Sequence, residues 1–402
     1  MNSMKTDVLV IGAGPAGSAA AKALATRGLD VALVDRSAFP RNKVCGDALI
    51  PDALNALSRL ALKDQVLRQA RRLGAVRIYA PNGAHIAVAG DCACLPRRLL
   101  DDMLRQAAVE AGARFMPRYR VIAPLERSAT VTGAVLQDLE TKHVVSVGAR
   151  VTLLATGAAA EPLKLFGVLQ RQEPSAIAAR VYLKVDPEVE SSFDFLCISY
   201  DRAVCPGYVW IFPGPDHVFN VGVGYFYDAE SLPVVTNIRR LLERFLAGFP
   251  PAAELVRASK RLTEVGGAPL RTGLSGAALQ RPGLLVIGEG AGLTYPCSGE
   301  GIGKALESAL LASDILVQGL EAHDPGTLGQ VYAACLVSRF RDRFRAYKVA
   351  QDWVANQRVV NFLAWRARSG NYVKERLAGF LDETSDPREL FSSWGLLRAL
   401  MS

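Results

Sequence analysis

The sequence predicts an α/β fold in three parts: a Rossmann-type domain built from separate segments, an antiparallel β-sheet inserted into it, and a C-terminal helical region. Three observations support this prediction. A strand, a glycine-rich turn and a helix open the chain, a second glycine-rich loop lies within residues 283–303, and strand patterns without intervening helices fill the middle. The 402 residues exceed one ordinary core, so we expect two packed lobes.

The nucleotide-binding segments lie on both sides of the strand-rich middle, which predicts a discontinuous domain. The chain shows no repeats and no low-complexity linker, so independent units in series are not expected. We expect the nucleotide-binding domain at residues 1–75, 96–165 and 266–320, a substrate-binding β-sheet domain at 76–95 and 166–265, and the C-terminal helical region at 321–402.

The elements of the first half follow from apolar runs and turn residues. The hairpin prediction depends on Asn82-Gly83, because this pair favours a tight turn between two strands. The predicted elements are a buried strand at Asp7–Ile11, a helix to about Arg27, a strand at Val31–Val34, helical turns over Pro51–Ala70, a hairpin over Val76–Val88, a helix at Pro96–Ala111, a β meander from Arg114 to Val147 and a strand at Val151–Ala155.

The second half begins with strands whose order suggests an antiparallel sheet more than strand–helix–strand units. A short buried strand, Leu284–Ile287, precedes the second glycine-rich loop, and a helix is predicted from near Gly299 to about Val317. From Leu328 onward the pattern is helical, basic and aromatic. The other predicted elements are strands at Ile177–Val185, Phe195–Tyr200, Tyr208–Phe212 and His217–Tyr225 and a helix at Ile238–Ala247.

Composition limits the classes of function and the compartment. Seven cysteines, an odd number without the spacing of zinc ligands, predict reduced thiols, no metal site and a cytoplasmic location. The apolar stretch Val8–Ala25 is interpreted as a strand, turn and helix and not as a signal peptide, because its glycines have cofactor-binding spacing. The formal charge of +8 favours acidic substrates, phosphates or an anionic membrane surface, and no nucleic-acid partner is expected.

The first glycine run has the spacing of a dinucleotide-binding fingerprint. Gly12 permits the tight turn, Gly14 lets the backbone approach a pyrophosphate, and Gly17 lets the helix pack on the strand. An acid at the end of the second strand, Asp35, can accept hydrogen bonds from ribose hydroxyls. On this motif alone the nucleotide is NAD or FAD. The predicted cofactor-binding residues here are Gly12, Gly14, Ala16, Gly17, Asp35 and Arg36.

The second glycine-rich loop favours a flavin. A buried strand leads to Gly288 and Glu289, and Glu289 is expected near the ribityl and phosphate region. A helix then begins near Gly299, Gly301 and Ile302. The positive end of its dipole can face the N1 and O2 edge of a flavin, where negative charge develops on reduction.

Several motifs together resemble the geranylgeranyl reductase family of FAD-dependent oxidoreductases, which have the p-hydroxybenzoate-hydroxylase-like flavoprotein fold. The most specific match is Tyr208-Val209-Trp210-Ile211-Phe212-Pro213 followed by Gly222-Val223-Gly224, which is similar to the family's Y-x-W-x-F-P…G-x-G signature. The other matches are Gly12–Gly17, Pro40–Asp47, Arg97 with Asp101 and Leu104, and Gly288–Ile302, together with a helical tail like the family's.

The resemblance implies FAD as the cofactor and assigns roles to several residues. Arg97 is expected near the FAD, and the loop of Cys45 and Gly46 is expected to border the isoalloxazine. The family usually has Asp where this chain has Glu289. The substrate cavity beside the flavin is expected to contain Tyr208, Trp210, Phe212, Pro213, Gly222, Gly224 and Cys297.

By the same resemblance, we expect reduction of carbon–carbon double bonds in a prenyl or other apolar, polyene-like substrate by hydride transfer from flavin N5. The alternatives are a flavin monooxygenase or tailoring enzyme of secondary metabolism, a halogenase as a distant third, and a flavin-binding protein without turnover. The segment Ala155–Ala158 lacks the Asp-Gly pair typical of NADPH-using hydroxylases of this fold. Tyr208 and Phe212 break the halogenase pattern W-x-W-x-I-P.

The expected partners are an apolar small molecule or lipid and an external electron donor, which is NAD(P)H, ferredoxin or a reduced flavin. The basic, aromatic tail has two interpretations: a solvated helix face, or peripheral contact with the inner face of a membrane.

Four site predictions have a simpler structural alternative. The aromatic residues of Tyr208–Phe212 line either a substrate wall or an ordinary sheet core. Cys45 is either the catalytic proton donor or a buried inert thiol. Cys297 has either a thiol pKa lowered by the nearby helix end or a packing role. Glu300 is interpreted as a capping residue of its helix, with a catalytic role as the minor alternative.

Overall fold

The structure, a computed structural model, describes residues 2–227, 237–321 and 327–402. In chain order, the strands are β1 (Asn2–Ile11), β2 (Val31–Asp35), β3 (Ala48–Leu49), β4 (Arg71–Tyr79), β5 (His85–Cys94), β6 (Arg114–Pro117), β7 (Tyr119–Arg127), β8 (Thr130–Asp138), β9 (Val144–Leu154), β10 (Ala176–Val185), β11 (Leu196–Ser199), β12 (Gly207–Pro213), β13 (Val218–Phe226), β14 (Ser259–Arg261), β15 (Gly266–Leu270), β16 (Gln280–Arg281) and β17 (Leu284–Val286). The helices are α1 (Pro15–Ala25), α2 (Pro51–Arg59), α3 (Lys63–Gln69), α4 (Arg97–Glu110), α5 (Ala160–Leu165), α6 (Pro187–Glu190), α7 (Ile238–Gly248), α8 (Pro250–Arg257), α9 (Ile302–Glu321), α10 (Leu328–Val354), α11 (Gln357–Ser369), α12 (Tyr372–Leu381) and α13 (Ser393–Met401).

The first sheet confirms the Rossmann-type prediction. Strands β17, β9, β1, β2 and β6 lie side by side and are all parallel. β2 and the second half of β1, Val8–Ile11, are buried, as expected for strands covered by helices on both faces. Helix α1 packs against both α4 and α9, so the opening and late glycine segments share one layer.

The second sheet has the order β14, β10, β13, β12, β11, β4, β5 and β3, with β15 also paired to β10. It is antiparallel as predicted, except that β11 and β4 run parallel. The sheet extends beyond the segments expected to form it: β3, the first residues of β4 and strand β15 belong to it through backbone pairing with β5 and β10.

Two other local predictions differ from the structure. β6 was expected in the meander, but it pairs parallel with β2 because it follows α4 as a crossover strand. The predicted helical stretch over 51–70 is two helices, α2 and α3, separated at Ala61, whose φ of 56° ends the first helix. The predicted hairpin forms, with Gly83 at φ 83° in its turn.

The C-terminal helices connect the two sheets. Helix α10 packs on α9 of the first domain, while α11 and α12 pack against β5 of the second sheet. Buried apolar residues of α11, α12 and the segment that follows form one cluster, which includes Leu363, Val373 and Phe391. Among the described residues, we find no helix that is both long and apolar enough to cross a bilayer.

Candidate active site

The site begins at one edge of the parallel sheet. β1, β2, β9 and β17 end at Ile11, Asp35, Leu154 and Val286, and parallel strands place these carboxyl ends on the same edge. Ligands of open α/β sheets bind at this edge. The turn after β1 therefore meets Asp35, the segment after β9 and the late glycine loop, although they are far apart in the chain.

The turn after β1 has no room for a side chain at Gly12 or Gly17. Gly12 has φ 106°, and a Cβ built there would lie 2.8 Å from the carbonyl carbon of Ala155. A Cβ on Gly17 would lie 2.9 Å from the carbonyl carbon of Gly12 and would overlap its oxygen. At Gly14 the nearest atom is a guanidinium nitrogen of Arg41 at 3.6 Å, so the backbone there can be approached from outside.

These groups fit a dinucleotide. Helix α1 begins at Pro15 without a side-chain cap at Gly14, which leaves its first N–H groups available for phosphate oxygens. Asp35 accepts the backbone N–H groups of Ala13 and Ser37, both at 2.8 Å, which holds its carboxylate beside the turn. The hydroxyl of Thr156, at the same edge, is buried without a hydrogen-bond partner among the described residues.

The late glycine loop contacts the opening turn. A Cβ on Gly288 would lie 2.8 Å from the Cβ of Ala16, so only glycine permits this approach. Glu289 lies opposite Gly157 and accepts the backbone N–H of Arg271 at 3.4 Å. α9 then begins at Ile302 with no acidic residue in its first turn. This packing agrees with the prediction that Gly288, Glu289 and the N-terminus of α9 lie near the opening glycine turn.

The loop of Cys45 is held by an arginine and an aspartate. The Arg97 side chain donates to the carboxylate of Asp101 at 2.6 and 2.9 Å, and the Arg97 backbone N–H donates to Asp47 at 3.2 Å. The Asp47 N–H donates to Cys45 Sγ at 3.4 Å. Burial raises the pKa of the Cys45 thiol, although the Arg97 guanidinium opposes that rise. Cys45 therefore keeps its proton at neutral pH.

An asparagine joins this loop to the aromatic strand, and the sequence did not single it out. Asn220 Nδ2 donates to the carbonyl of Cys45 and to Asp47, both at 2.7 Å, while Trp210 Nε1 donates to Asn220 Oδ1 at 2.9 Å. Tyr182 also donates to Asp47. The sequence pointed to this hydrogen-bonded group only through Asp47, which ends the motif that contains Cys45.

Tyr208, Trp210 and Phe212 lie on one face of β12 and form a continuous aromatic surface. Neighbouring ring centroids are 6.0 and 6.2 Å apart. A Cβ on Gly46 would lie 3.1 Å from the Phe212 ring, so this surface covers the Cys45 loop. Gly222, paired with Trp210 across the sheet, leaves space for the indole, because a Cβ there would collide with it.

The same strand reaches the late loop through its first aromatic residue. The Tyr208 hydroxyl donates to the carbonyl of Ser298, and a Cβ on Gly299 would lie 3.0 Å from that hydroxyl oxygen. Gly224 pairs with Tyr208, and Pro213 ends the strand. The aromatic strand thus joins both cofactor loops, which favours the interpretation as a wall of the site.

An apolar cavity lies beside this strand and extends under the C-terminal helices. It is partly open to solvent, and the greater part of its wall is apolar. Of the predicted substrate-binding residues, Tyr208 and Cys297 line it, whereas Trp210, Phe212, Pro213, Gly222 and Gly224 do not. Its wall is otherwise aliphatic and aromatic, from strands β4, β5 and β11 and from helices α11 and α12: Val76, Ile78, Ile86, Ile198, Leu363, Leu377 and Phe380 are examples.

Two residues of the late loop differ from their sequence interpretation. Of the two interpretations of Cys297, the lowered pKa is wrong: burial raises the pKa of its thiol to about 12, although a hydrogen bond from Tyr200 opposes the rise. Glu300 was interpreted as a helix cap, but its side chain lines the cavity. Burial raises the Glu300 pKa well above its usual range, and the carboxylates of Asp52 and Glu383 raise it further.

A buried ion cluster lies behind Glu300. The fully buried ammonium of Lys304 is 2.7 Å from Glu383 and 3.4 Å from Asp52, and it also bonds Glu307. Oxygens of these three carboxylates lie within 4.8 Å of one another, a spacing that could hold a metal ion, but the Lys304 ammonium already contacts all three. Burial raises the pKa of Asp52 to about 7, with Lys304 opposing that rise. No sequence pattern predicted this cluster.

Comparison with known proteins agrees with this geometry. Residues 5–170 match the family model described as an FAD binding domain. A menaquinone reductase of Mycolicibacterium smegmatis is 32% identical over 338 residues, covering 78% of this chain and 77% of the relative. A digeranylgeranylglycerophospholipid reductase of Methanothrix thermoacetophila is 27% identical, covering 81% of both chains. The cofactor of this chain is FAD.

Solved structures share the fold across the whole chain. A geranylgeranyl bacteriochlorophyll reductase-like protein from Thermoplasma acidophilum superimposes with a TM-score of 0.80 at 21% identity, covering 100% of this chain and 97% of that protein. A flavin-dependent brominase does so with a TM-score of 0.75 at 18% identity, covering 99% and 98%. The fold alone therefore does not separate reduction from halogenation.

Proposed function

The chain belongs to the geranylgeranyl reductase family of FAD-dependent oxidoreductases, and on this basis we propose that it reduces carbon–carbon double bonds of a prenyl or other apolar, polyene-like substrate. The observation that carries the proposal is the apolar cavity, which begins at the loop before α9 and continues under α11 and α12. A long, flexible hydrocarbon can fill such a space, whereas a small polar substrate would leave it empty.

The proposed role of each residue follows from its position in the site. Reduced FAD, when bound, supplies a hydride to one carbon of the double bond. The turn of Gly12–Gly17, Asp35 and the N-terminus of α9 bind the cofactor. Trp210 and Phe212 cover the Cys45 loop, and Tyr208 fixes Ser298 at the start of the cavity, which excludes water from the junction. The Cys45 thiol, whose pKa burial raises, lies in the loop beneath these rings.

The electron donor in this proposal is external: NAD(P)H, ferredoxin or a reduced flavin. The absence of the Asp-Gly pair in Ala155–Ala158 supports a donor other than directly bound NADPH. Dithionite can replace the donor in an assay, which makes the test of double-bond reduction independent of the donor's identity.

The test is anaerobic turnover. We expect FAD-loaded protein reduced with dithionite to add two hydrogens to a menaquinone with a prenyl side chain or to a digeranylgeranylglycerophospholipid, detected by mass spectrometry. Ala364→Phe should retain FAD but reduce these substrates at least tenfold more slowly, because Ala364 is buried on α11 and lines the cavity.

The matched control is Ala367→Phe, one turn along the same helix. Ala367 is also buried but does not line the cavity, so its new ring has no space and should lower the melting temperature instead. If neither substrate gains hydrogen with the wild-type protein, the proposal fails. A product that gains oxygen, and only in air, would identify a monooxygenase.

Peripheral contact with an anionic membrane surface is part of the proposal, because the proposed substrate is a lipid. Helices α11 and α13 together carry four arginines and no acidic residue. Trp365 and Trp394 are 54% and 59% exposed, and Arg366 and Arg398 lie over their rings at 5.1 and 5.5 Å. The other exposed apolar side chains of α13 are Leu397, Leu400 and Met401.

These two helices form one surface. The Arg366 side chain donates to the carbonyl of Ala399 at 2.7 Å, which joins α11 to α13. The opposite face of α11, with Val360 and Leu363, lines the cavity. Exposed tryptophans and leucines flanked by arginines suit the headgroup region of an anionic bilayer, where the rings enter the interface and the guanidinium groups meet phosphates.

We expect vesicles containing phosphatidylglycerol to bind the protein, and vesicles of phosphatidylcholine alone to bind it weakly. Trp365→Ala combined with Trp394→Ala should lower the partition coefficient at least tenfold, since about 1.4 kcal/mol of lost burial suffices for that. The control pair is Val109→Ala with Leu262→Ala, which removes exposed apolar side chains elsewhere.

Flotation of the two variants with both vesicle types decides the question, with the oligomeric state measured by light scattering. Equal binding of both variants would contradict this surface. So would a wild-type dimer that the tryptophan substitutions dissociate while vesicles stay unbound, because the surface would then contact a second copy of the chain.

A further inference from the structure

Glu300 is the one carboxyl group among the residues that line the apolar cavity. The other polar groups of the wall are the hydroxyls of Tyr200, Tyr208 and Ser298 and the thiol of Cys297, and no lysine, arginine or histidine is among the lining residues. An ionised carboxylate facing this cavity would find no cation in the wall, and the Lys304 ammonium behind it is already shared by Asp52, Glu307 and Glu383. This setting therefore favours a neutral, protonated Glu300 at the wall of the substrate space.

Behind Glu300, the ion cluster leads towards the protein surface. Asp52 and Glu383 are close enough to act electrostatically on the Glu300 carboxyl. Their oxygens lie within 4.8 Å of each other, with Lys304 bridging them. Glu383 also pairs with Arg343 at 3.3 Å, and 35% of the Arg343 side chain is exposed. Acidic groups thus follow one another from solvent to the cavity wall.

We propose that Glu300 is the acid that protonates the substrate double bond in the cavity, and that Asp52 and Glu383 return a proton to it from solvent. This inference rests on the proposed function, because it assigns a role in double-bond reduction. It differs from the sequence expectation, in which Cys45 was the proton donor. Cys45 lies under Trp210 and Phe212 and does not line the cavity.

The proposed step adds two hydrogens to one double bond. One carbon of the double bond receives the hydride, the Glu300 O–H bond breaks, and a new C–H bond forms at the other carbon. The carboxylate left behind is disfavoured in the apolar wall, so it takes up one proton through Asp52 and Glu383. The substrate gains two hydrogens, and the external donor supplies the two electrons of the next cycle.

The pH dependence has a defined sign. Glu300 acts while protonated, so turnover is expected to be constant at low pH and to fall as pH rises through the Glu300 pKa. Burial, Asp52 and Glu383 place that pKa well above the usual range, and Lys304 opposes them. The ionisable groups that face Glu300 from the surrounding elements are Asp52, Glu383, Lys304, Cys92, Cys297, Tyr200, Tyr208 and Tyr347.

The first test compares Glu300→Gln with Cys45→Ser, using the two lipid probes of the turnover assay. Glu300→Gln keeps the size of the side chain but has no acidic proton. We expect it to retain FAD, to lower the rate roughly a hundredfold and to lose the fall at high pH. Cys45→Ser should leave the high-pH fall in place. A Glu300→Gln enzyme with the wild-type rate and pH profile would overturn the inference, as would loss of that profile in Cys45→Ser alone.

Asp52→Asn tests the return path separately. Because Glu300 already holds a proton in the resting enzyme, a single turnover of Asp52→Asn should proceed at close to the wild-type rate, while steady-state turnover should slow several-fold. Equal slowing of the single turnover and of the steady-state turnover would show that Asp52 acts structurally. An unchanged steady-state rate would show that Asp52 does not return the proton to Glu300.

A readout without turnover separates this inference from the proposed function. Infrared difference spectra of wild type against Glu300→Gln should show the C=O band of a protonated carboxyl at neutral pH, shifted in heavy water. If neither lipid is reduced by wild type, the proposed function fails whatever this band shows. If the lipids are reduced but the band is absent, Glu300 is ionised and the inference fails alone.

Discussion

Gly17→Ala protein is expected to fold and to purify without its yellow cofactor. The new methyl carbon would overlap the carbonyl oxygen of Gly12, and Gly12 itself has no space to move because it lies against Ala155. The turn must open and displace the N-terminus of α1, the proposed binding site of the pyrophosphate. Overpacking of this kind costs up to about 3 kcal/mol, which corresponds to roughly a hundredfold loss of FAD affinity.

Gly248→Ala is the matched control. Gly248 is also a helical glycine, at the end of α7, and a Cβ built there meets nothing within 4 Å. This variant should keep the flavin absorbance of wild type. Titration of the two apoproteins with FAD, followed by flavin fluorescence, measures the difference. Equal affinities would mean that the turn after β1 does not hold the pyrophosphate, and the placement of the cofactor would be wrong.

The cofactor side of the site could be predicted because it depends on local spacing and on strand direction. The glycine intervals of Gly12, Gly14 and Gly17 define a turn that only one backbone geometry satisfies. Once the strands before Gly12, Gly288 and the one ending at Asp35 are parallel, their carboxyl ends must share an edge. These conclusions need no knowledge of which side chains meet across the core.

The substrate side could not be predicted in the same way, because its contacts are distant in sequence. Helical periodicity showed that residues beyond 328 form helices, but it does not say that Leu363 and Phe380 roof a cavity next to β12. Glu300 illustrates the limit. A glutamate before a helix has the pattern of a cap, and only the packing of β5, β12 and α2 around it shows that it faces an apolar space. Cys297 shows the same limit, since its position before a helix does not reveal the burial that raises its pKa.

Lys304→Met is expected to destabilise the protein by about 3–5 kcal/mol, the usual cost of removing one partner from a buried ion pair. Lys304 is fully buried, and its ammonium is the cation shared by Asp52, Glu307 and Glu383. Methionine has a similar length and keeps the packing of α9, so the loss of charge is the main change. Urea unfolding followed by circular dichroism measures the free energy of unfolding.

Lys348→Met makes the same exchange at an exposed ion pair. Lys348 bonds Asp352 one turn along α10, with side chains 45% and 60% exposed. Water and salt screen such a pair, so a change of about 0.5 kcal/mol or less is expected. If Lys304→Met were equally mild, the buried carboxylates would have to be neutral already, and the cluster would not be an ion pair.

The pH dependence of the destabilisation by Lys304→Met shows whether the buried carboxyls are ionised or neutral. Burial raises the folded-state pKa of Asp52 from 3.8 to about 7, so protonation of Asp52 favours the folded state. That contribution is complete below the unfolded-state pKa and is lost as pH rises through about 7. Lys304 limits this loss by stabilising the carboxylate. The destabilisation caused by Lys304→Met should therefore be largest above pH 7 and should shrink towards pH 5, where the carboxyls take up protons.

The same substitution should act on turnover in the opposite sense. Lys304 lowers the pKa of Glu300, so its removal should move the high-pH fall in activity to higher pH while the protein becomes less stable there. Loss of folded protein alone would move that fall to lower pH. We therefore expect opposite shifts when the unfolding free energy and the turnover of Lys304→Met are measured over the same pH range. The first reports how the Lys304 charge stabilises the domain, and the second reports the protonation of Glu300.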